Sequence, residues 1–264
     1  PSMRDMNNVY DLDGYMNHDA PSELAVENMN HLYSANEDAK KHTTRPIVTG
    51  TSVLAMRYDN GIVLACDTLG SYGSMARFAT LERLHKLGTQ TLIGGGGDYS
   101  DYQYLTKSLD AFVLRDAMKD DGHEYSTQSL HSLITRTLYG YRNKFDPLWN
   151  QIVIAGIQDG KPYLGYSDLI GTNFTAPVVS TGFGAYLAIP LMRKAIAAAK
   201  KNNRELNKDE AKQVIEDCLK VLYYRDARTI NKIQMAIVDV KDGISITKPY
   251  KLDTKWTYKS FNVP

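Results

Sequence analysis

The stretch Ser52-Val-Leu-Ala-Met-Arg-Tyr58, Asp59-Asn60-Gly61, Ile62-Val-Leu-Ala-Cys66 decides how the rest of the chain is read. Two runs rich in apolar and β-branched residues flank a turn tripeptide, which predicts a β-hairpin. Two registers are open. A two-residue Asn60-Gly61 loop pairs Leu54 with Asp67; a three-residue loop with Gly61 left-handed pairs Val53 with Asp67 and puts Asp67 on the face of Thr51.

Outward from this hairpin, Thr91-Leu-Ile93 reads as a strand running into Gly94–Gly97, which reads as a tight strand-to-helix turn. The glycines match neither a dinucleotide fingerprint nor a P-loop, since no Gly-Lys-Ser/Thr follows. Two helices come next. Asp98 or Ser100 can cap the first, with Leu105, Leu109, Phe112 and Val113 on its apolar stripe; Ser126 can cap the second, with Leu130, Leu133, Ile134, Leu138 and Tyr141. Strands return at 151–155 and 162–166 around Asp159-Gly160, and at Val178-Val179. A helix over 185–199 must accommodate Pro190 in its first turns. Asn207 caps a further helix whose Ala211, Val214, Ile215, Cys218, Leu219 and Leu222 keep helical spacing. A last hairpin joins 234–238 to 243–247. Runs of strands separated by helix pairs predict an α+β fold, a four-layer αββα sandwich of two antiparallel sheets between helix layers.

Composition narrows the class of function. Of 264 residues, 43% are apolar and 23% charged, and 31 basic residues against 30 acidic leave a net charge of +1. No global electrostatic pull toward nucleic acid or anionic membrane follows. No apolar run approaches the roughly 20 residues that cross a bilayer, and 1–10 lack a signal-peptide pattern. Cys66 and Cys218 read as buried thiols in a reducing compartment, cytoplasmic and nuclear. The six histidines, at 18, 31, 42, 85, 123 and 131, have no metal-ligand spacing. No metal and no cofactor are expected. Residues 1–45 lack a sustained apolar period and read as an N-terminal extension, 46–250 as the folded domain and 251–264 as a C-terminal tail.

Gly50-Thr51, ahead of the first strand, is a pair with chemical potential. A threonine freed by cleavage after glycine offers a hydroxyl nucleophile and an α-amine base, which ordinarily titrates near pH 8. The pair alone carries little information. Its setting carries more: Thr49–Tyr58, Gly61–Asp67, Leu69-Gly-Ser-Tyr-Gly-Ser74, Asn143-Lys144, Pro147-Leu-Trp-Asn150, Thr181-Gly-Phe-Gly-Ala-Tyr186 and Val221-Leu-Tyr-Tyr-Arg-Asp-Ala-Arg228. From Thr43 to about Trp256 the chain resembles the β subunits of the proteasome core, N-terminal-nucleophile hydrolases, and several of these strings resemble the type at the seventh position of the β ring.

That resemblance implies a fold and a set of site positions. Thr51 stands at the nucleophile position, Asp67 at the second-strand aspartate, and Asp226 and Thr229 at the last two. Arg83 stands where working relatives carry lysine. Arginine stays protonated and is larger, so it supplies charge but relays no proton. The peptide bond from Gly50 into Thr51 is also continuous as written, leaving no free amine. The five positions are therefore expected to be vestigial, with Asp67 pairing with Arg83. The resemblance implies a non-catalytic structural subunit that completes the β ring in ubiquitin-dependent protein degradation. Its partners would be β subunits of the same and the opposite ring, α subunits and assembly chaperones, with no nucleic acid or membrane. Trimming near Thr43-Thr44-Arg45-Pro46 and a ring-to-ring contact through Leu252, Trp256, Tyr258 and Phe261 are further implications. The competing readings are an active threonine peptidase with Thr51 as nucleophile, and a free-standing β-sandwich binding module.

Overall fold

The two apolar runs of the opening hairpin are buried on both faces, which is why they read as continuous rather than alternating. In the computed structural model, which describes residues 46–255, they form β2 (Val53–Tyr58) and β3 (Gly61–Asp67) at the middle of a sheet. Val53, Ala55, Ile62, Leu64 and Cys66 point toward the second sheet, where they meet Leu84, Leu92, Val153, Ala155 and Leu164. Leu54, Met56, Val63 and Ala65 point the other way, against helices carrying Ala188, Met192, Ala211, Ile215 and Cys218. The strand period of two thus assigns alternate residues to two cores.

The remaining strands are β1 (Val48–Gly50), β4 (Gly70–Tyr72), β5 (Met75–Phe78), β6 (Leu84–Leu87), β7 (Thr91–Asp98), β8 (Asn150–Gln158), β9 (Lys161–Asp168), β10 (Asn173–Thr175), β11 (Val178–Ser180), β12 (Lys232–Asp239), β13 (Gly243–Ile246) and β14 (Tyr250–Lys251). Among the described residues, one sheet runs β10-β9-β8-β7-β1-β4-β5, with β6 beside β1 on the same edge of β7. The other runs β11-β2-β3-β12-β13, with β14 also on β12. All pairings are antiparallel. Helices α1 (Tyr99–Ala117) and α2 (Thr127–Asn143) pack on the first sheet, α3 (Gly184–Lys201) and α4 (Lys208–Arg225) on the second. This is the four-layer αββα order.

Caps fall where side-chain oxygens can reach a first-turn amide. Asp98 accepts from the Asp101 amide, Ser126 from Ser129, and Asn207 from Glu210 in a reciprocal capping box. Phe183 precedes α3 without a side-chain cap, and Pro190 lies inside that helix. The Asp159-Gly160 turn has φ of 50° and 70°, the doubly positive geometry of a two-residue hairpin.

Two local expectations are corrected. The opening hairpin takes neither register: Tyr58 pairs with Gly61 and Val53 with Cys66, so the loop is Asp59-Asn60. Gly61 is a strand residue without positive φ. Its missing side chain admits the Val238 carbonyl of β12 and the Tyr58 ring, which a Cβ would strike. The glycine serves a close approach rather than a turn. Gly94–Gly97 likewise lie within β7, paired to β8 from Gly94 with Val153 to Gly97 with Asn150. Only Gly97 has a positive φ, of 95°, and there the Trp149 carbonyl occupies the space of a Cβ.

Candidate functional site

The five positions singled out in the sequence lie on five different parts of the fold. Thr51 follows β1, Asp67 ends β3, Arg83 precedes β6, Asp226 follows α4, and Thr229 stands in the loop to β12. Thr51 is partly exposed, while Asp226 is buried. The Thr51 hydroxyl donates to Asp226 Oδ2 at 2.6 Å, and Asp226 Oδ1 accepts the Arg228 amide at 2.9 Å. The acceptor for the Thr51 proton is thus a carboxylate from the far end of the chain.

Beneath Thr51, Asp67 and Arg83 form an ion pair, each about 1% exposed. Arg83 Nη2 donates to Asp67 Oδ1. The rest of the guanidinium is given to carbonyls: Nη1 to Thr51 O at 2.8 Å and Gly95 O at 3.3 Å, Nη2 to Ser52 O at 3.2 Å and Asp67 O at 3.0 Å, and Nε to Asp67 O at 3.2 Å. No N–H of its five is left over for a reacting group. Its stem lies against Gly50, where a Cβ would meet Arg83 Cδ. The Arg83 carbonyl is held by Tyr102 Oη at 3.0 Å and the Gly95 amide at 3.0 Å.

The electrostatics follow from this packing. Burial alone pulls the Arg83 guanidinium down, but Cys66, Asp67 and Tyr102 around it push it up, and it stays protonated. Burial pushes the Asp67 carboxyl up; Arg83 and the amides of Leu69 and Ile230 pull against that. The groups on its oxygens are all donors, with both amides at 3.3 Å, so the ionised form is the one this cage fits. Burial also raises the neighbouring Cys66 thiol to about 11, and Cys218, in the other core, to about 12. Both thiols are free, buried and unreactive.

Thr229 is drawn near only by chain continuity: the amide of Ile230 reaches Asp67, while among the described residues the Thr229 hydroxyl joins none of these bonds. Conversely, Thr181 had no assigned role in the sequence. Its hydroxyl accepts the Val53 amide at 2.8 Å, and a Cβ on Gly182 would stand 3.7 Å from the Thr51 hydroxyl. The Thr181-Gly182 pair before a helix was the available signal.

One further strand completes the site. Val48–Gly50 lies between β4 and β7, Thr49 opposite both Ser71 and Asp98, and Gly50 opposite Gly97. The Ile47 amide is held by Asp98 Oδ1 at 3.0 Å. The chain leading into Thr51 thus fills, by main-chain pairing on both sides, the slot beside the threonine.

Among the described residues no cluster of His, Cys, Asp and Glu could hold a metal ion, and no helix is long and apolar enough to cross a membrane. The expectations for residues 1–45 and for Trp256, Tyr258 and Phe261 lie outside the described residues.

Comparison with known proteins agrees with this architecture. The family model described as proteasome subunit matches residues 47–238. Proteasome subunit beta type-4 of Xenopus laevis is 45% identical over 216 residues, covering 82% of this chain and 87% of the relative. Its Dictyostelium discoideum counterpart is 45% identical over 222 residues, 84% of each. Proteasome subunit beta type-7 of Saccharomyces cerevisiae is 36% identical over 233 residues, 86% of this chain and 87% of the relative. A two-sheet sandwich with Thr51 at the mouth of its first strand pair, together with matches of this length, places the chain in the proteasome subunit family, as a β subunit.

Proposed function

We propose that this chain is a non-catalytic β subunit, a structural part of a peptidase complex that lacks peptidase activity of its own. The observation that carries this reading is Arg83. Every N–H of its guanidinium is spent on Asp67 and four main-chain carbonyls, and a guanidinium does not exchange a proton near neutral pH. Thr51, Asp67, Arg83, Asp226 and Thr229 are then vestigial positions, with the Asp67–Arg83 pair serving as a buried tie between β3 and the segment before β6. The strand Val48–Gly50, paired on both sides, supports the same reading, because an extended peptide has no free edge to join there.

In this role the subunit completes a β ring, sits against α and β subunits of the complex, and assembles with the help of chaperones, in cytoplasm and nucleus. The test is intact-mass measurement of the chain from the native complex, combined with an epoxyketone probe for N-terminal threonines. The proposal expects a chain that retains residues before Thr51 and carries no probe. A mature chain starting at Thr51 with the probe on its hydroxyl would overturn it. One observation favours the alternative of an active threonine peptidase: Thr51 is partly exposed and its hydroxyl already has a carboxylate acceptor in Asp226. The same experiment decides between the two.

A further inference from the structure

At the end of β2 away from Thr51 the surface carries a pocket to which a purely structural subunit assigns no role. Arg57 is six residues along the strand from Thr51, about 20 Å at the rise of an extended chain. The pocket has a volume of about 200 Å³, and its lining includes Arg57, Tyr58, Ile196, Lys200, Arg204 and Leu206. Its floor is apolar: Tyr58, Ala199 and Leu206 are buried, and Pro177 and Ile196 close the sides. The floor is also fixed, since the Arg57 amide bonds Pro177 O at 2.9 Å, the Asp59 amide bonds Leu206 O at 3.0 Å, and Tyr58 Oη donates to Asp239 at 2.6 Å.

The rim is basic. Arg204 is committed to Glu210 at 2.6 Å, and Glu205 is the one acidic side chain in the lining. Arg57 and Lys200, by contrast, form no ion pair among the described residues. Two cations with no ion pair among the described residues therefore flank an apolar depression of fixed shape. Sites for drug-sized ligands span about 300–1,000 Å³. A depression of 200 Å³ is smaller than that and suits a single bulky side chain. Two such cations are also far fewer than the 6–10 phosphate contacts typical of nucleic-acid binding.

We propose that this pocket docks an acidic linear segment of a partner protein, with one bulky apolar side chain seated on Tyr58, Ile196 and Leu206 and flanking carboxylates paired with Arg57 and Lys200. Arg57 supplies a fork that can hold a carboxylate by two N–H groups, and Lys200 a point charge beside it. Anchoring by one buried residue inside a charged rim is the common pattern of peptide and protein recognition. This site is independent of whether Thr51 is active.

The test is fluorescence anisotropy on the native assembly carrying the chain, with a fluorescein-labelled, end-blocked Glu-Asp-Leu-Glu-Asp peptide as probe. Three changes are each expected to weaken binding about tenfold or more, a loss of about 1.4 kcal/mol. They are Arg57→Glu with Lys200→Glu, Ile196→Trp (a half-buried lining residue enlarged into the pocket with the charges kept), and replacement of the central leucine of the peptide by glycine. Equal binding to wild type and the double charge variant would overturn the proposal, as would absence of binding to both. Undiminished binding of the glycine peptide, or of the leucine peptide to the Ile196→Trp assembly, would reduce the site to a diffuse charge effect and overturn it too. Competition by a short DNA duplex as effective as by unlabelled peptide would assign the surface to nucleic acid instead.

Discussion

The Arg83 guanidinium and the Asp67 carboxylate meet as an ion pair sealed from solvent, each about 1% exposed. Their attraction is strong only because both are desolvated, so removing one leaves the other stranded. Arg83→Met is expected to destabilise the chain by about 3–5 kcal/mol, and adding Asp67→Leu recovers only the part due to the stranded carboxylate, because the carbonyls of Thr51, Ser52 and Gly95 still lose their donor. Urea unfolding midpoints of the single and double variants measure this. A single variant as stable as wild type would contradict the buried-pair account.

The Thr51 hydroxyl has one strong bond, to Asp226. Thr51→Val removes the donor and keeps the shape, which should lower stability by about 1–3 kcal/mol. Peptide hydrolysis by complexes carrying the variant should remain at wild-type rate for every fluorogenic substrate tried. Loss of one specificity with assembly intact would show that Thr51 is a working nucleophile.

His131 gives the fold a pH dependence. It is buried, with Nε2 at 3.0 Å from the Tyr166 carbonyl and Nδ1 at 2.8 Å from Tyr163 Oη. The carbonyl can only accept, so Nε2 carries the proton and Nδ1 accepts the hydrogen bond that the Tyr163 hydroxyl donates. Burial lowers the affinity of this ring for a second proton, against the partial opposing effect of the Tyr166 bond. The unfolded chain protonates near pH 6.5 and the folded chain only below that. Stability from this group is therefore full above about pH 6.5 and is lost as pH falls through the lowered value. Thermal melts from pH 8 to 5 should show a steeper acid decline for wild type than for His131→Asn; parallel curves would remove His131 as the cause.

Gly61 lies in the middle strand pair with Val238 O and the Tyr58 ring where a Cβ would be. Gly61→Ala should lower stability by about 1–3 kcal/mol or more, the range for overpacking. Gly160→Ala is the useful control: nothing stands near its Cβ, and its φ of 70° alone sets the strain. If the control is the more damaging of the two, close approach is not what Gly61 supplies.

Local chemistry was readable where it depended on neighbours in the chain. Asn207 with Glu210 three residues on, Ser126 before an apolar stripe, and Asp159-Gly160 between two strands each specify an end or a turn without outside help. Asn60-Gly61 misled because its glycine answers to β12, whose contact at Val238 lies 177 positions downstream and leaves no local mark. Gly94–Gly97 misled for the same reason. The short strands β1, β4, β5 and β10 have too few residues to show a period, and β5 is wholly exposed. Site positions were legible through resemblance to a family; the contacts that tie them together, 16 residues apart for Asp67 and Arg83 and 175 for Thr51 and Asp226, arise only on folding.

Among the described residues, the hairpin of β4 and β5 reaches the rest of its sheet by main-chain pairing only through Val48–Gly50. Its place in the sheet is conditional on a tripeptide that precedes it by some twenty positions. Withdrawing that tripeptide would leave Tyr72, Met75 and Phe78, all exposed apolar side chains, on a two-stranded ribbon held at its base by Thr68, which bonds Ala79 O and the Leu81 amide. The segment that blocks the threonine slot therefore also governs how firmly an adhesive flap of surface is presented to whatever lies beside it.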